Sequence, residues 1–396
     1  MENFILPKGY RFAGIHAGIK SEPDRLDLGL LISDRPATAV GLFTQNRVVA
    51  APVRISQERV PTANARGVVI CSGNANACTG EQGKEDARRM TAVAAELVGC
   101  KPEQMLVCST GVIGRRLPME VVEPGIRKAA RNLNHEPRAF DNLAHAILTT
   151  DTRIKVSSRS VSTAGQDVHV TGFAKGAAMI GPNLATMLAF VFTDAALAPA
   201  ELAGMARQAA DASFHCISVE GHTSTNDTVL FFANGAPNER LTNPDSFQAA
   251  ATAVCADLAR AIAADAEGAT HLVTIEVEGL RSDREARQVA KTIADSPLVK
   301  TAVFGADPNW GRFVSAAGYS GVDFQEEDLS LWLGDMLLYK RGAPQPFDPV
   351  AAATYLKNNR EIYLRLQFHG RGPGRCTFWT CDLTYDYVRL NAEYTT

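Results

Sequence analysis

The chain lacks several things, and each absence narrows what it does. No apolar run approaches the roughly 18–20 residues that span a bilayer. The longest, near 187–192, is far too short. The opening Met1-Glu2-Asn3-Phe4 has neither the basic start nor the apolar stretch of a signal peptide. There is no excess of charge: the formal net charge is −3. A nucleic-acid binder normally carries a basic footprint, so no nucleic-acid partner is expected, and no attraction to an anionic membrane either. The eight cysteines lie at 71, 78, 100, 108, 216, 255, 376 and 381, with no Cys-x-x-Cys pair. The eight histidines are equally scattered and give no zinc spacing. Reduced, mostly buried thiols, no metal and a cytoplasmic location are the expectation. Internal repeats and low-complexity tracts are absent too. What is present is ordinary for a globular protein: 396 residues, 46% hydrophobic and 21% charged, with ample room for a core.

Short apolar runs alternate with helical periodicity. Strands are expected at 37–43, 67–71, 105–108, 156–161, 168–174, 228–233 and 270–277, with further candidates at 302–304, 329–333, 362–366, 377–383 and 387–390. Helices are expected at 84–98, 119–133 (interrupted at Pro124), 140–148, 200–213, 247–264 and 284–294. Phe247, Ala251, Val254, Leu258, Ala261 and Ile262 give the fifth of these an apolar stripe. Residues 342–347 are the most linker-like. Strands and helices follow no strict alternation, so a parallel Rossmann sheet is disfavoured and a layered α/β sandwich fits better.

The most unusual stretch runs from Lys175-Gly176 through Pro182-Asn183-Leu184-Ala185-Thr186-Met187-Leu188. One reading is a loop entering a core element, with Thr186 bonded locally. The other makes Thr186 a nucleophile whose base is its own α-amine, freed by cleavage of the chain. With an unperturbed pKa of about 7.7–8, that amine accepts a proton near neutrality. Ser109-Thr110-Gly111 follows a short apolar run. It is either a glycine turn or a donor pair for an oxyanion. The apolar run before Cys108 favours a buried thiol over a nucleophile. Thr149-Thr150-Asp151-Thr152-Arg153-Ile154-Lys155 is a polar cluster suited to a carboxylate ligand or to a helix cap. Thr223-Ser224-Thr225-Asn226-Asp227 is similar. Glu267, beside the helix-ending Gly268, is a solvated acid or a group that recognises a cationic amine. Ala306-Asp307-Pro308-Asn309-Trp310-Gly311-Arg312 carries two turn signals and lacks a P-loop ending. The tail Asn391-Ala392-Glu393-Tyr394-Thr395-Thr396 by itself suggests fraying.

Taken in order, these segments resemble the ornithine acetyltransferase family, the bifunctional glutamate N-acetyltransferases of arginine biosynthesis. The resemblance rests on 109–114, 149–152, Lys175-Gly176, 182–188, 223–227, Glu267-Gly268-Ala269, 306–312 and the closing Asn391 to Thr396, and so covers the whole chain. It implies a layered α/β sandwich of the aminopeptidase–ornithine acetyltransferase type, made as a precursor that cuts itself between Ala185 and Thr186. The α piece would be 1–185 and the β piece 186–396, assembled as two of each. Thr186 is then the N-terminal nucleophile, and Thr110 and Gly111 form the oxyanion hole. Thr152, Lys175, Thr186, Glu267, Asn391 and Thr396 bind substrate. The implied reaction moves an acetyl group from N-acetylornithine to glutamate through acetyl-Thr186. Acetyl-CoA is a further donor in bifunctional members, and no metal or organic prosthetic group is needed.

Some positions depart from the family pattern. Ala177 and Ala178 follow Lys175-Gly176 where smaller or more polar residues are usual. Ile154 stands where proline is common, and Glu220 and His222 occupy places usually taken by aspartates. None of the proposed reactive residues is altered. Two other readings compete. One is an aminopeptidase-type hydrolase on the same fold, usually with a serine nucleophile. The other is a non-catalytic binding protein with an intact chain.

Overall fold

The computed structural model describes residues 4–163, 166–181, 187–236 and 241–393. Eight strands form one mixed sheet: β1 (Tyr10–Ile15), β2 (Leu28–Phe43), β3 (Thr62–Asn74), β4 (Met105–Val112), β5 (Lys155–Thr163), β6 (Gln166–Lys175), β7 (Leu188–Thr193) and β8 (Thr228–Ala233). Their order is β4-β3-β2-β8-β7-β6-β5, with β1 paired to β2. The β3–β4 and β7–β8 pairs are parallel and the others antiparallel. Helices α1 (Ala51–Gln57), α2 (Gly80–Val98), α3 (Met119–Arg131), α4 (Pro137–Ala146), α5 (Pro199–Asp211) and α6 (Pro244–Ala264) accompany this sheet.

The second sheet holds β9 (Leu272–Leu280), β10 (Leu329–Leu333), β11 (Met336–Lys340), β12 (Ala343–Pro344), β13 (Glu361–Phe368) and β14 (Gly374–Cys381), in the order β12-β11-β10-β13-β9-β14. With it go α7 (Asp283–Ala294), α8 (Pro297–Phe304), α9 (Trp310–Gly318), α10 (Pro349–Asn358) and α11 (Tyr385–Glu393). Helix α6 packs on β5 and β6 and reaches β14, so it joins the two sheets. The layered mixture of sheets and helices agrees with the expected sandwich.

β7 explains the core. All six of its residues are buried, because a central strand is covered on both faces. Leu188, Phe190 and Phe192 point into a phenylalanine-rich core with Phe12, Phe140 and Phe173. Ala189 and Val191, on the alternate face, join the core shared with α5 and α6. Large side chains thus fill one side, and small ones let the helices approach on the other. The two pieces implied by a cut before Thr186 contribute strands to the same sheet. β7 and β8 lie between β2 and β6 in one continuous sheet.

Several elements differ from expectation. The 302–304 run is the end of α8, because Ser296 accepts from the Val299 N–H and Pro297 sits in the first turn. The 387–390 run lies in α11, where Thr384 Oγ1 accepts the Tyr387 N–H at 3.0 Å. Helix α3 continues through Pro124, held by its buried Val122, Ile126 and Ala129 against α2 and β2. Residues 109–111 belong to β4 rather than to a turn after it. Strand β12 occupies part of 342–347, and α9 begins at Trp310. β1, α1, β11 and α10 have no counterpart among the elements expected from the sequence. Helix α6 is long and apolar enough to cross a membrane by length and composition. Its stripe of Phe247, Val254, Leu258 and Ile262 is buried in the core.

Candidate active site

The site gathers at one end of the central strands. β3 and β4 run parallel, with Ser72 opposite Thr110 and Gly73 opposite Gly111. Gly111 has φ +132°, and a Cβ there would lie 2.3 Å from the Gly73 carbonyl carbon. Only glycine permits that approach. Thr110 is buried. From the end of β6, Lys175 reaches across and donates its Nζ to Thr110 Oγ1 at 3.4 Å. The lysine thus occupies an oxygen lone pair and leaves the hydroxyl hydrogen to be donated elsewhere.

Lys175 belongs to a buried ionic chain. Its Nζ lies 3.9 Å from Asp151, and Lys155 pairs with both Asp151 and Asp265 at 2.6 Å. Asp151 also accepts the Gly176 N–H at 2.6 Å. Asp265 accepts the Thr152 N–H at 3.1 Å and the Thr152 hydroxyl. One network therefore sets both Lys175 and Thr152. Burial pushes the Asp151 carboxyl up, but Lys155 and Lys175 outweigh it and hold the group below the carboxylate range. Burial lowers the Lys175 pKa, opposed by the charges of Asp151, Glu267 and Asp227.

Behind these lies the 223–227 segment. Asn226 Nδ2 donates to the carbonyls of Ala75 at 2.6 Å and Ser109 at 2.8 Å, tying this segment to β4. Asp227 is fully buried, and its Oδ1 accepts the Met187 N–H at 3.2 Å. Its Oδ2 has no hydrogen-bond partner among the described residues. Burial raises its pKa well above the ordinary value. On the other side of 182–186, the Ile180 carbonyl accepts the N–H groups of Val219, Glu220 and Gly221 at 2.7, 3.2 and 3.2 Å. Glu220 accepts the Ile180 N–H with one oxygen, while the other is buried without a hydrogen-bond partner among the described residues. Burial pushes its carboxyl up to about 8. His222 is exposed.

After α6, the half-buried Glu267 donates its N–H to the Ala177 carbonyl at 2.9 Å. Its Oε2 accepts from Asn391 Nδ2 at 3.3 Å. Asn391 lies on α11, so the tail up to Glu393 is helical rather than frayed. The structure therefore joins Thr110 directly to Lys175, with Gly111 next in the strand, links Thr152 to Lys175 through Asp265, Lys155 and Asp151, and joins Glu267 with Asn391. Thr186, the Ala185–Thr186 bond and Thr396 lie outside the described residues. Cys108 is a buried thiol whose pKa burial raises, as its apolar strand suggested. Asp151, Lys155, Asp265 and Asp227 were missed as individuals. Asp151, Lys155 and Asp227 sit inside segments already marked as polar; Asp265 gave no signal beyond its place at a helix end.

Comparison with known proteins decides the family. The ArgJ family model matches residues 11–396. The chain belongs to the ArgJ family. It is similar to the arginine biosynthesis bifunctional protein ArgJ of Rhodopirellula baltica, 44% identical over 99% of this chain and 97% of that one. The Geobacter sulfurreducens protein of the same name is 45% identical over 98% of this chain and 99% of its own. Among solved structures, the arginine biosynthesis bifunctional protein ArgJ of Bacillus halodurans aligns with TM-score 0.50 and 43% identity, covering 52% of this chain and 98% of that one.

Proposed function

We propose that this ArgJ-family chain is an acetyltransferase of arginine biosynthesis, moving an acetyl group from N-acetylornithine to glutamate through acetyl-Thr186. The observation that carries this reading is the Lys175–Thr110 contact at the Gly111 end of β4, with Lys175 itself paired to Leu188, the first residue of β7. Self-cleavage at Ala185–Thr186 frees an α-amine. That amine takes the Thr186 hydroxyl proton, and the oxygen attacks the acetyl carbonyl. The Thr110 hydroxyl and the Gly111 N–H stabilise the oxyanion, a place where one lost donor typically costs about 10²–10³ in rate. The proton passes to the leaving amine, and ornithine departs. Glutamate then attacks the acetyl-enzyme, giving N-acetylglutamate and restoring Thr186. Acetyl-CoA serves as a second acetyl donor for glutamate in this proposal.

Lys175 has three donors and gives one to Thr110. We assign the remainder to a substrate carboxylate, and Glu267 to the ammonium end of ornithine, with Thr152, Asn391 and Thr396 completing the site. Cleavage gives pieces of 185 and 211 residues. The Bacillus halodurans chain, matched along 98% of its length by 52% of this one, is of comparable size. We propose an assembly of two α and two β pieces in the cytoplasm, needing no metal or prosthetic group.

The test is the mass of the denatured protein with N-terminal sequencing. Two fragments, one beginning at Thr186 and gaining an acetyl group when mixed with N-acetylornithine, are expected. A single uncut chain that still transfers acetyl would overturn the mechanism. Glu267→Gln is expected to raise KM for N-acetylornithine by roughly 10- to 100-fold, the loss of a charge-assisted contact. An unchanged KM would remove Glu267 from that role.

A further inference from the structure

Outside the site residues, two cysteines meet in an open cleft. Cys216 ends a short 3-10 turn, Phe214–Cys216, and Cys376 lies on β14. They are 160 positions apart in sequence, yet their sulfurs are 3.7 Å apart. Cys216 is nearly covered, whereas Cys376 is part-exposed. Both line a cleft of about 920 Å³ with Arg287, Arg375, Asp211 and Asp283. Arg287 is held over this end of the cleft by Asp211, donating to its carbonyl and its carboxylate at 3.2 Å. His215 also contacts that carboxylate, at 3.0 Å. The remaining thiols are unlike this pair. Cys78 is exposed, and Cys255 is enclosed in the core.

We propose that Cys216 and Cys376 form a reactive dithiol that closes to a disulfide when a small peroxide enters the cleft. A disulfide needs sulfurs about 2.0 Å apart. Side-chain rotation can supply most of the closure, because among the described residues the Cys216 sulfur has only weak contacts outside the pair, to the Asp211 carbonyl at 3.3 Å and to the Arg287 guanidinium. Two features favour Cys216 as the attacking thiolate: the hydrogen bond it can accept from Cys376, and the nearby Arg287 charge. Its sulfur attacks one peroxide oxygen, and the O–O bond breaks. The leaving hydroxide takes the Cys376 proton as water, leaving a sulfenic acid on Cys216. The Cys376 thiolate then attacks that sulfur and expels hydroxide, which takes up the proton released when Cys216 first ionised. Two thiols and one peroxide give one disulfide and two waters.

The bond would fasten two strands of chain that already touch. Ile217 bridges Trp379, and the Ser218 N–H donates to the Trp379 carbonyl at 3.0 Å. Val219, Glu220 and Gly221, which follow directly, hold the Ile180 carbonyl beside the site. The cross-link therefore anchors the outer end of a segment whose inner end borders the catalytic region.

The test uses the full-length native protein treated with a slight excess of hydrogen peroxide, then alkylated, digested without reductant and mapped by mass. The expected result is a peptide pair joined through Cys216 and Cys376, lighter by two hydrogens and released by dithiothreitol. In the Cys376→Ser variant the cross-link is lost and Cys216 goes on to sulfinic acid. Recovery of both cysteines fully alkylated would overturn the proposal. So would their oxidation in separate peptides, or a cross-link that forms equally in protein unfolded before treatment.

Discussion

At the scale of single residues, the buried carboxylates separate into two kinds. Asp151 is compensated by two lysines and a backbone N–H. Replacing it with Asn leaves Lys155 and Lys175 short of counter-charge inside the protein. A loss of about 3–5 kcal/mol in urea unfolding is expected. Because its folded pKa is depressed, the stability it contributes is present above the ordinary carboxylate pKa of about 3.9 and is lost only in stronger acid. Glu220 is the opposite case, a buried acid with one oxygen unpartnered among the described residues. Its folded pKa is raised to about 8, so its contribution is full below the unfolded value and disappears as pH rises through 8. Glu220→Gln is expected to be more stable than the parent at pH 8.5 and close to it at pH 5. Parallel stability curves across that range would refute this account of Glu220.

At the scale of elements, the β3–β4 pair is the critical joint. Its strands approach at Gly73 and Gly111, both with positive φ, which leaves no space for a side chain. Gly111→Ala must part the strands or shift Thr110. Thermal unfolding is expected to fall by several degrees, and acetyl transfer by at least the 10²-fold associated with a displaced oxyanion donor. Normal turnover in that variant would mean that the strand end does not hold the donors. The same joint shows why the sequence was misleading here. Ser109-Thr110-Gly111 carries every local sign of a turn, yet parallel pairing with β3 keeps it extended. Conversely, the apolar 387–390 run suggested a strand. The Thr384 cap starts a helix instead, and that helix brings Asn391 to Glu267.

At the scale of the whole molecule, the sheet order fixes what cleavage can do. β7 and β8 lie between β2 and β6 with every residue of both strands buried. Cutting before Thr186 leaves all of those backbone bonds in place. The two fragments are expected to elute as one species in native gel filtration and to separate only in denaturant. Separation in native buffer would contradict this sheet arrangement.

Family membership and the polar segments 109–111, 149–155, 175–176 and 223–227 were legible in the sequence. Their composition departs from what loops and core strands require, and their order along the chain is distinctive. The long stripe of α6 was legible because a 3.6-residue period survives any context. The tertiary structure alone decided which of these segments meet. Asp151 acts on Lys175 across a 24-residue separation, Asp265 on Thr152 across 113, and Asn226 on Ser109 across 117. No local pattern encodes such pairings. They arise because burying β7 on both faces forces the flanking strand ends together, and the charges brought inward must then find one another.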